Sequence, residues 1–411
     1  MMKQYDSYKD SGVEWIGKIP SHWEVCAFKR KIVINNGRDY KEYLDDELYP
    51  VMGSGGCFAY CSKYLYDGEA VLLGRKGTID KPLYINGKFW AVDTMFYATP
   101  LKSLHCKFAY YLALTFPFNY YSTSTALPSM TQSDLGNNPV AIPPYVEQEI
   151  IALYLDKKCG EIDKAITTQE KRVELLKELR QNIITQAVTR GINPNAPLKD
   201  SGVEWIGEVP EHWEVNRLKT LCRTIRNGYV GPTRDLYVDD GIPYIQSVHI
   251  KDGDILFERE EYYVTKDWAD KHPKIYKGDI VVVQTGDIGQ IALVTNKFDK
   301  CNCHALIILS INNNVISSEY LSLYLRSHIG KELMLQTKTG ALLPHLNSTQ
   351  IGDTTTIVPP LSEQQEIVSY IESQTVRLDK SIEKAEHQIE LLQELKQSII
   401  TEVVTGKRKV V

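Results

Sequence analysis

One long proline-free stretch occurs twice in this chain, at residues 146–189 and again at residues 362–405. At a constant offset of 216, 21 of 49 positions are identical between residues 142–190 and 358–406. Apolar side chains recur at steps of three and four, which predicts an α-helix with one apolar stripe. The stripe consists of Leu155, Cys159, Ile162, Ile166, Val173, Leu176, Leu179 and Ile183 in the first copy, and of Ile371, Thr375, Leu378, Ile382, Ala385, Ile389, Leu392, Leu395 and Ile399 in the second.

A second repeat opens each half of the chain. Residues 10–25 and 200–215 match at thirteen of sixteen positions, at an offset of 190. The offset grows from 190 to 216, so the two halves are a duplication whose ends stayed similar while the middles diverged. The repeated Trp15/Trp205 and Trp23/Trp213 are predicted to anchor the opening segment to a helix end.

Two equivalent amphipathic helices are expected to bury their stripes against each other. At about 1.5 Å per residue, each would extend roughly 65 Å. A two-unit repeat also predicts pseudo-twofold symmetry, antiparallel helices and chain termini that lie near each other. We therefore predict a coiled-coil spacer that holds two globular domains apart, one at each end.

The middles alternate short apolar runs with glycine-rich turns, and each holds a helical stretch, near residues 103–115 and 318–336. The predicted fold class is α+β: two small mixed α/β domains joined by two long antiparallel helices that form a coiled coil. The predicted segments are an opening segment (1–20), a first mixed domain (21–141), a first helical spacer with linker (142–212), a second mixed domain (213–357) and a second helical spacer (358–411).

Composition narrows the class of protein. The chain has 411 residues, a net charge of −5 and eight scattered cysteines, and it lacks an apolar run of transmembrane length. The N-terminal residues lack the apolar core of a signal peptide. We therefore expect a cytoplasmic protein with free thiols and no membrane partner.

The repeated motifs resemble those of the specificity subunit of type I restriction–modification systems. The motif GVEWIG-x-x-P-x-HWEV stands at 12–25 and 202–215, and each long helix begins near PPYVEQEI or PPLSEQQEI. The resemblance covers nearly the whole chain and implies two target-recognition domains, each reading one half of a split site in double-stranded DNA. It also implies partners: two DNA adenine methyltransferase subunits and a restriction translocase–nuclease subunit.

The chain itself shows no pattern for catalysis. Residues 12–18 fit the start of a phosphate-binding loop, but Ile19 replaces the required Ser or Thr. Ile142 stands where the Pro-Pro-Tyr motif of adenine methyltransferases needs Asn or Asp. Cys301, Cys303 and His304 are poorly spaced for zinc, so buried thiols are the simpler interpretation. We predict no catalytic residue, cofactor or metal here, with S-adenosylmethionine, ATP and magnesium belonging to the partner subunits.

DNA reading requires cations for phosphates and polar groups on loops for base edges. The best candidates are glycine-rich loops, which lie at residues 53–56 and 74–78 in the first domain and at residues 284–289 in the second. In the first domain the candidates are Lys29, Arg30, Arg38, Ser54, Gly55, Arg75, Lys76 and Thr78, with Lys29 to Lys31 and Arg38 forming one basic cluster. In the second domain they are Arg226, Arg234, Gln246, Ser247, Gln284, Thr285, Asp287, Lys338, His345 and Asn347.

Charge gives little independent support for tight DNA binding. Basic and acidic side chains number 12 and 11 in residues 21–141, and 16 and 18 in residues 211–357. We therefore predict weak DNA binding by this chain alone, tightened when methyltransferase subunits clamp the duplex. Two alternatives stay open: a non-catalytic coiled-coil scaffold whose end domains bind proteins, and an enzyme fragment with its own methyltransferase activity.

Overall fold

The structure is a computed structural model that describes residues 4–45, 48–118, 128–338 and 345–410. The chain divides into two compact units. Unit 1 contains residues 1–170 and 386–411, and unit 2 contains residues 171–385. Both long helices therefore contribute one part to each unit. The related loops before the two proline pairs fall partly outside the described residues, at 125–127 and 340–344.

The two predicted long helices are present, and their bounds differ from the prediction by one residue at each end. The described α-helices are α1 (Cys106–Ala113), α2 (Gln132–Asn137), α3 (Tyr145–Arg190), α4 (Leu218–Leu221), α5 (Lys266–Asp270), α6 (Ser318–Arg326), α7 (His328–Leu335) and α8 (Leu361–Val404). α3 and α8 each begin directly after a Pro-Pro pair. Gly191 and Gly406 follow the helix ends with positive φ, the usual glycine stop.

The long helices run antiparallel. In unit 1 the early part of α3 meets the late part of α8, where Asp163 and Lys396 pair at 2.7 Å. In unit 2 the late part of α3 meets the early part of α8, where Arg180 and Asp379 pair at 2.8 Å. Apolar side chains from both helices are buried along this seam, which confirms the predicted coiled coil. The buried residues of the predicted stripe are Leu155, Cys159, Ile162, Val173, Ile371, Thr375, Ile382, Ala385 and Ile399.

The predicted stripe was wrong at one position in each copy. Leu179 and Leu395 are 47% and 48% exposed, although both were assigned to the seam. Ile184 is buried, whereas the assigned Ile183 is only partly buried. A spacing of three and four averages below the 3.6 residues of a helical turn, so the buried face drifts around a straight helix.

Unit 1 is built on one mixed sheet. Its strands are β1 (Tyr8–Asp10), β2 (Lys18–Pro20), β3 (Glu24–Ala27), β4 (Ile32–Asn36), β5 (Leu44–Asp45), β6 (Tyr49–Gly53), β7 (Gly56–Cys61), β8 (Tyr66–Gly74), β9 (Leu83–Ala91), β10 (Met95–Pro100) and β11 (Pro139–Ile142). Seven of them form a sheet of order β4-β10-β8-β9-β6-β7-β5, and β1–β2 and β3–β11 are separate pairs. The last five residues of β8 are fully buried because they are small or apolar.

Unit 2 repeats this plan with shorter strands. They are β12 (Leu198–Asp200), β13 (Glu208–Pro210), β14 (Glu214–Arg217), β15 (Cys222–Asn227), β16 (Tyr237–Val238), β17 (Ile242–Ile245), β18 (Ile250–Lys251), β19 (Asp254–Ile255), β20 (Tyr263–Val264), β21 (Ile280–Val283), β22 (Ile291–Leu293), β23 (Asn302–Cys303), β24 (Leu306–Ile311) and β25 (Thr355–Val358). The sheet order β15-β24-β21-β22 corresponds to β4-β10-β8-β9, and β17 lies parallel to β23 as β6 does to β9.

The opening segment of each half is tied to the start of a long helix by a buried tryptophan. Trp23 Nε1 donates to Glu147 at 3.2 Å, and Trp213 Nε1 donates to Glu363 at 2.9 Å. The prediction for Trp23 and Trp213 is therefore confirmed. It was wrong for Trp205, which is 61% exposed, whereas the equivalent Trp15 is partly buried against the core of unit 1.

The chain termini meet within unit 1, as predicted. Lys409 Nζ lies 5.7 Å from the ring centroid of Tyr5. Tyr5 in turn donates its hydroxyl hydrogen to Glu147 at 2.6 Å. The two ends of the chain thus complete the same junction that an unbroken linker forms in unit 2.

The helix predicted near 318–336 is two helices. Ser327 ends α6 in an extended conformation and begins α7, where its Oγ accepts the Gly330 N–H at 3.1 Å. Each unit also fixes one short helix, α1 in unit 1 and α6 in unit 2, to a long helix by a buried glutamine. Gln148 Oε1 accepts from His105 N at 2.8 Å, and Gln364 Oε1 accepts from Ser317 N at 2.7 Å.

Candidate nucleic-acid interface

Five loop segments of unit 1 meet at the strand ends and are joined by backbone hydrogen bonds. We call them loop cluster 1, which consists of residues 37–38, 52–55, 74–78, 91–95 and 128–130. The bonds run from Gly37 N to Met95 O, Arg38 N to Ala91 O, Val92 N to Met52 O, Arg75 N to Thr94 O, Met130 N to Arg75 O and Gly77 N to Pro128 O, all at 2.9–3.2 Å.

Unit 2 holds an equivalent group of loops. Loop cluster 2 consists of residues 228–229, 245–247, 284–289, 303–306 and 345–347. Its bonds run from Gly228 N to Leu306 O, Tyr229 N to Cys303 O, His304 N to Ile245 O and Leu346 N to Gln284 O, at 2.8–3.0 Å. The two clusters therefore share a backbone frame, although the sequences between the repeated ends have diverged.

A glycine makes the closest approach in each frame possible. A Cβ on Gly37 would lie 2.0 Å from the Val92 carbonyl oxygen, and a Cβ on Gly228 would lie 2.5 Å from the Cys303 carbonyl oxygen. Any other residue would push these segments apart. Neither glycine could be singled out from the sequence, because the segment that each one contacts lies far along the chain.

Loop cluster 1 brings together most of the residues predicted to bind DNA in the first domain. Arg38, Lys76, Thr78 and Gly55 are exposed, and Ser54 and Arg75 are half-buried. The Arg75 guanidinium lies over the Phe96 ring at 5.8 Å, and its Nη1 donates to the Asp93 carbonyl oxygen at 3.3 Å. These contacts hold the side chain in place without using most of its five donors.

The predicted basic cluster of Lys29 to Lys31 with Arg38 is divided by the structure. Lys29 and Arg30 lie on a short 3-10 helix, Phe28–Arg30, before β4, whereas Arg38 follows the far end of that strand. Five strand residues at about 3.3 Å each separate them by roughly 17 Å. Lys29 Nζ also donates to Asn137 at 2.6 Å, so Lys29 is engaged with α2.

Loop cluster 2 brings together seven predicted residues of the second domain. Ser247, Thr285, Asp287 and His345 are exposed, and Gln246, Gln284 and Asn347 are half-buried. Gln246 Nε2 donates to the Tyr237 hydroxyl at 2.9 Å. Asn347 Oδ1 accepts from the backbone N–H groups of Thr349 and Gln350, so it shapes its own turn.

The other three candidates of the second domain lie elsewhere. The Arg226 guanidinium is engaged on the sheet, donating to Ser310 Oγ and the Lys274 carbonyl oxygen at 2.7 Å each. Arg234 is exposed between β15 and β16, and Lys338 is exposed after α7.

One buried residue near loop cluster 2, His249, was missed from the sequence. His249 is fully buried; its Nδ1 accepts from Gln246 N at 2.9 Å, and its Nε2 donates to the Glu260 carbonyl oxygen at 2.5 Å. Burial lowers the pKa of His249, and it also lowers the pKa of His304. Both imidazoles are therefore favoured in the neutral form.

The cysteine pair beside His304 is a structural feature. Cys301 and Cys303 are buried, and burial raises the pKa of the Cys303 thiol to about 12. Among the described residues, no group of three or more histidine, cysteine or acidic side chains is arranged to hold a metal ion.

A known protein family matches both halves of this duplicated chain. The family model described as the type I restriction modification DNA specificity domain matches residues 20–177 and 210–393. The chain belongs to this family. Each match covers most of one repeat, so the chain carries two specificity domains.

Curated relatives agree with this assignment. The chain is 26% identical over 297 residues to the type I restriction enzyme EcoBI specificity subunit of Escherichia coli, an alignment covering 70% of this chain and 62% of that protein. It is 22% identical to the MjaVIII specificity subunit of Methanocaldococcus jannaschii, covering 96% of this chain and 94% of that protein.

A solved structure shares the fold. A chain from work on complex assembly and conformational transition of the type I restriction–modification system aligns with a TM-score of 0.67 at 14% identity. The alignment covers 94% of this chain and 98% of that one. Within the described ranges, no helix combines the length and apolarity needed to cross a membrane.

Proposed function

We propose that this chain is the DNA-recognition subunit of a type I restriction–modification complex, with each loop cluster reading one half of a bipartite site. The observation that carries the proposal is the shared backbone frame with different side chains. Loop cluster 1 presents Arg38, Arg75 and Lys76, whereas loop cluster 2 presents the neutral Gln284 and Thr285 together with the acidic Asp287. A duplicated frame with exchanged polar groups suits the reading of two different half-sites.

In this proposal the chain is not catalytic. It selects where partner subunits methylate adenine and where a translocase–nuclease restricts the DNA. S-adenosylmethionine, ATP and magnesium would be bound by those partners. The chain contributes the polar loops described above and the helices that connect them.

Duplicated pairs of exposed leucines on the long helices support the binding of two methyltransferase subunits. Leu175 and Leu179 lie one turn apart on α3, and Leu391 and Leu395 occupy the equivalent positions on α8. All four are between 47% and 64% exposed. Side chains four residues apart share a helix face, so each pair is a compact apolar patch.

The basic side chains of α3 near the first leucine pair differ in whether their charge is already matched within the unit. Arg180 forms the ion pair with Asp379 inside unit 2 and has its charge matched there. Lys171 and Arg172 are exposed on the same helix as the first leucine pair. These two side chains can add charge to a contact that begins with the leucines.

DNA binding by the chain alone is proposed to be weak. Neither domain carries a marked excess of basic residues, and phosphate neutralisation supplies much of the affinity of DNA-binding proteins. The partner subunits would supply the remaining contacts when they enclose the duplex.

The proposal is tested by mapping methylated adenines in host DNA. The chain is co-expressed with the methyltransferase subunit of the same system in a strain without adenine methylation of its own. We expect a two-part motif with a gap that varies in base sequence, and none when the chain is omitted. A scaffold that binds only proteins would give methylation without such a motif, or none at all.

A further inference from the structure

Arg75 and Gln284 occupy the same position in the two loop clusters. Arg75 directly follows β8, and its carbonyl oxygen accepts the N–H of Met130 at 3.0 Å. Gln284 directly follows β21, and its carbonyl oxygen accepts the N–H of Leu346 at 3.0 Å. Met130 and Leu346 are both buried and fix their loops in the core. The equivalence comes from the fold, because the two middles differ in length.

The Arg75 side chain is held in place but remains available. Its guanidinium lies over the buried Phe96 ring, and one Nη1–H donates to the Asp93 carbonyl oxygen. Across the part of the chain that the structure describes, its Nε and Nη2 groups donate to no protein atom. A planar group fixed in this way retains a fork of donors for a ligand.

The Gln284 side chain is also available. It is half-buried, and its amide forms no hydrogen bond with any described residue. The neighbouring Thr285 is exposed. An amide presents one donor and one acceptor side by side, which matches the edge of a base better than a phosphate group.

We propose that Arg75 reads a guanine in the half-site bound by unit 1, and that Gln284 reads an adenine at the equivalent place in the half-site bound by unit 2. This inference rests on the proposed function. Arginine pairs with O6 and N7 of guanine, and glutamine pairs with N6 and N7 of adenine, in the major groove.

The neutral residue in unit 2 argues against a phosphate clamp at this position. If the shared task were to neutralise the DNA backbone, a cation would be expected in both frames. Exchange of an arginine for a glutamine on an unchanged backbone instead alters which base is preferred. The position therefore acts as a specificity-determining position in both units.

The test exchanges the two side chains in the full chain. Arg75→Gln and Gln284→Arg are each co-expressed with the methyltransferase subunit, and methylated adenines are mapped genome-wide. Arg75→Gln is expected to change one guanine to adenine in one half of the motif. Gln284→Arg is expected to change one adenine to guanine in the other half. A good bidentate contact predicts a shift of about 10- to 100-fold in the ratio of methylation between the two bases.

Two further variants separate reading from charge. Arg75→Lys keeps the charge but loses the fork, so we expect the same motif with a weaker preference at that base. Lys102→Gln removes an exposed charge outside loop cluster 1 and is expected to leave the motif unchanged. Methylation of purified DNA fragments that carry either guanine or adenine at this position measures the base preference of a variant even when its methylation is slow.

The inference is overturned if Arg75→Gln lowers methylation equally at all sites without changing the motif, since that is the behaviour of a phosphate contact. It is also overturned if both exchanges alter the same half of the motif. A wild-type chain that yields no two-part motif overturns the proposed function itself, which is a different result from a two-part motif that ignores the exchange.

Discussion

Replacement of Glu147 by alanine tests the junction between the opening segment and α3. Its carboxylate accepts from Tyr5 Oη at 2.6 Å, Trp23 Nε1 at 3.2 Å and His22 Nε2 at 2.9 Å. The Tyr5 and Trp23 bonds are buried. The equivalent Glu363 accepts from one indole and one imidazole, and has no tyrosine partner among the described residues.

The expected loss of stability follows from this difference. Hydrogen bonds to charged groups contribute about 1.5–3 kcal/mol each. The histidine bonds are discounted because both imidazoles are about half exposed. Glu147→Ala then leaves two buried donors unsatisfied and is expected to destabilise unit 1 by about 3–5 kcal/mol. Removing the Glu363 carboxylate leaves one such donor and should destabilise unit 2 by about 1.5–3 kcal/mol.

The assay is urea unfolding followed by hydrogen exchange, which resolves the two units. Glu147→Ala should lower the stability of unit 1 and leave the protection of unit 2 nearly unchanged. Glu147→Gln keeps an acceptor and is the matched control, with less than half of the loss. Equal effects of alanine at 147 and 363, or a loss at 147 below about 0.5 kcal/mol, would refute the reasoning.

Three further predictions concern the loops and helices. Gly37→Ala places a Cβ 2.0 Å from a carbonyl oxygen and should abolish reading of one half-site, whereas Gly160→Ala, on α3 outside both loop clusters, meets no atom within 4 Å beyond the backbone of its own helix and should be neutral in the methylation map. Leu179→Lys and Leu395→Lys should change the stability of the chain by less than about 0.5 kcal/mol but weaken methyltransferase binding in titration calorimetry. Because burial lowers the pKa of His249, the unfolded chain binds more protons near that pKa, so stability should fall as pH drops below about 6.5, and His249→Asn should flatten this dependence.

Each of these predictions has a clear contrary result. A glycine variant that leaves the motif intact would show that the close approach is not required. A leucine-to-lysine variant that unfolds the chain would place that leucine in the core. A pH profile that is unchanged by the histidine replacement would show that other groups cause the loss of stability at low pH.

The long helices could be predicted from the sequence because their signal is local and repeated. Steps of three and four recur over more than forty residues, and the copy at 362–405 confirms the one at 146–189. Individual positions were less secure. Leu179 was assigned to the seam by spacing alone, but its burial depends on how far the stripe drifts around the helix.

Errors elsewhere reflect interactions that a sequence pattern does not contain. Ser327 divides a predicted helix because its hydroxyl caps the next one, which a run of helix-forming residues conceals. Trp205 is exposed although its motif is shared with a half-buried copy in the other repeat. In both cases the neighbouring sequence did not determine the environment of the residue.

The candidate site was predicted in part. Glycine-rich loops after strands identified Arg75 and Gln284, since such loops often carry function. The two glycines that allow the loops to approach each other, Gly37 and Gly228, could not be predicted, because each contacts a segment more than fifty residues away along the chain. The backbone frame shared by the two loop clusters could not be predicted either, because backbone hydrogen bonds do not require particular side chains.

The central claim is that two loop clusters read two separate parts of one DNA site. Footprinting of the chain in complex with its methyltransferase subunits, on DNA that carries the mapped motif, tests it most directly. Two protected patches separated by a stretch whose base sequence can be changed freely are the predicted result. A single uninterrupted recognition sequence would contradict the account. Protection that persists on DNA in which one half-site has been randomised would contradict it as well.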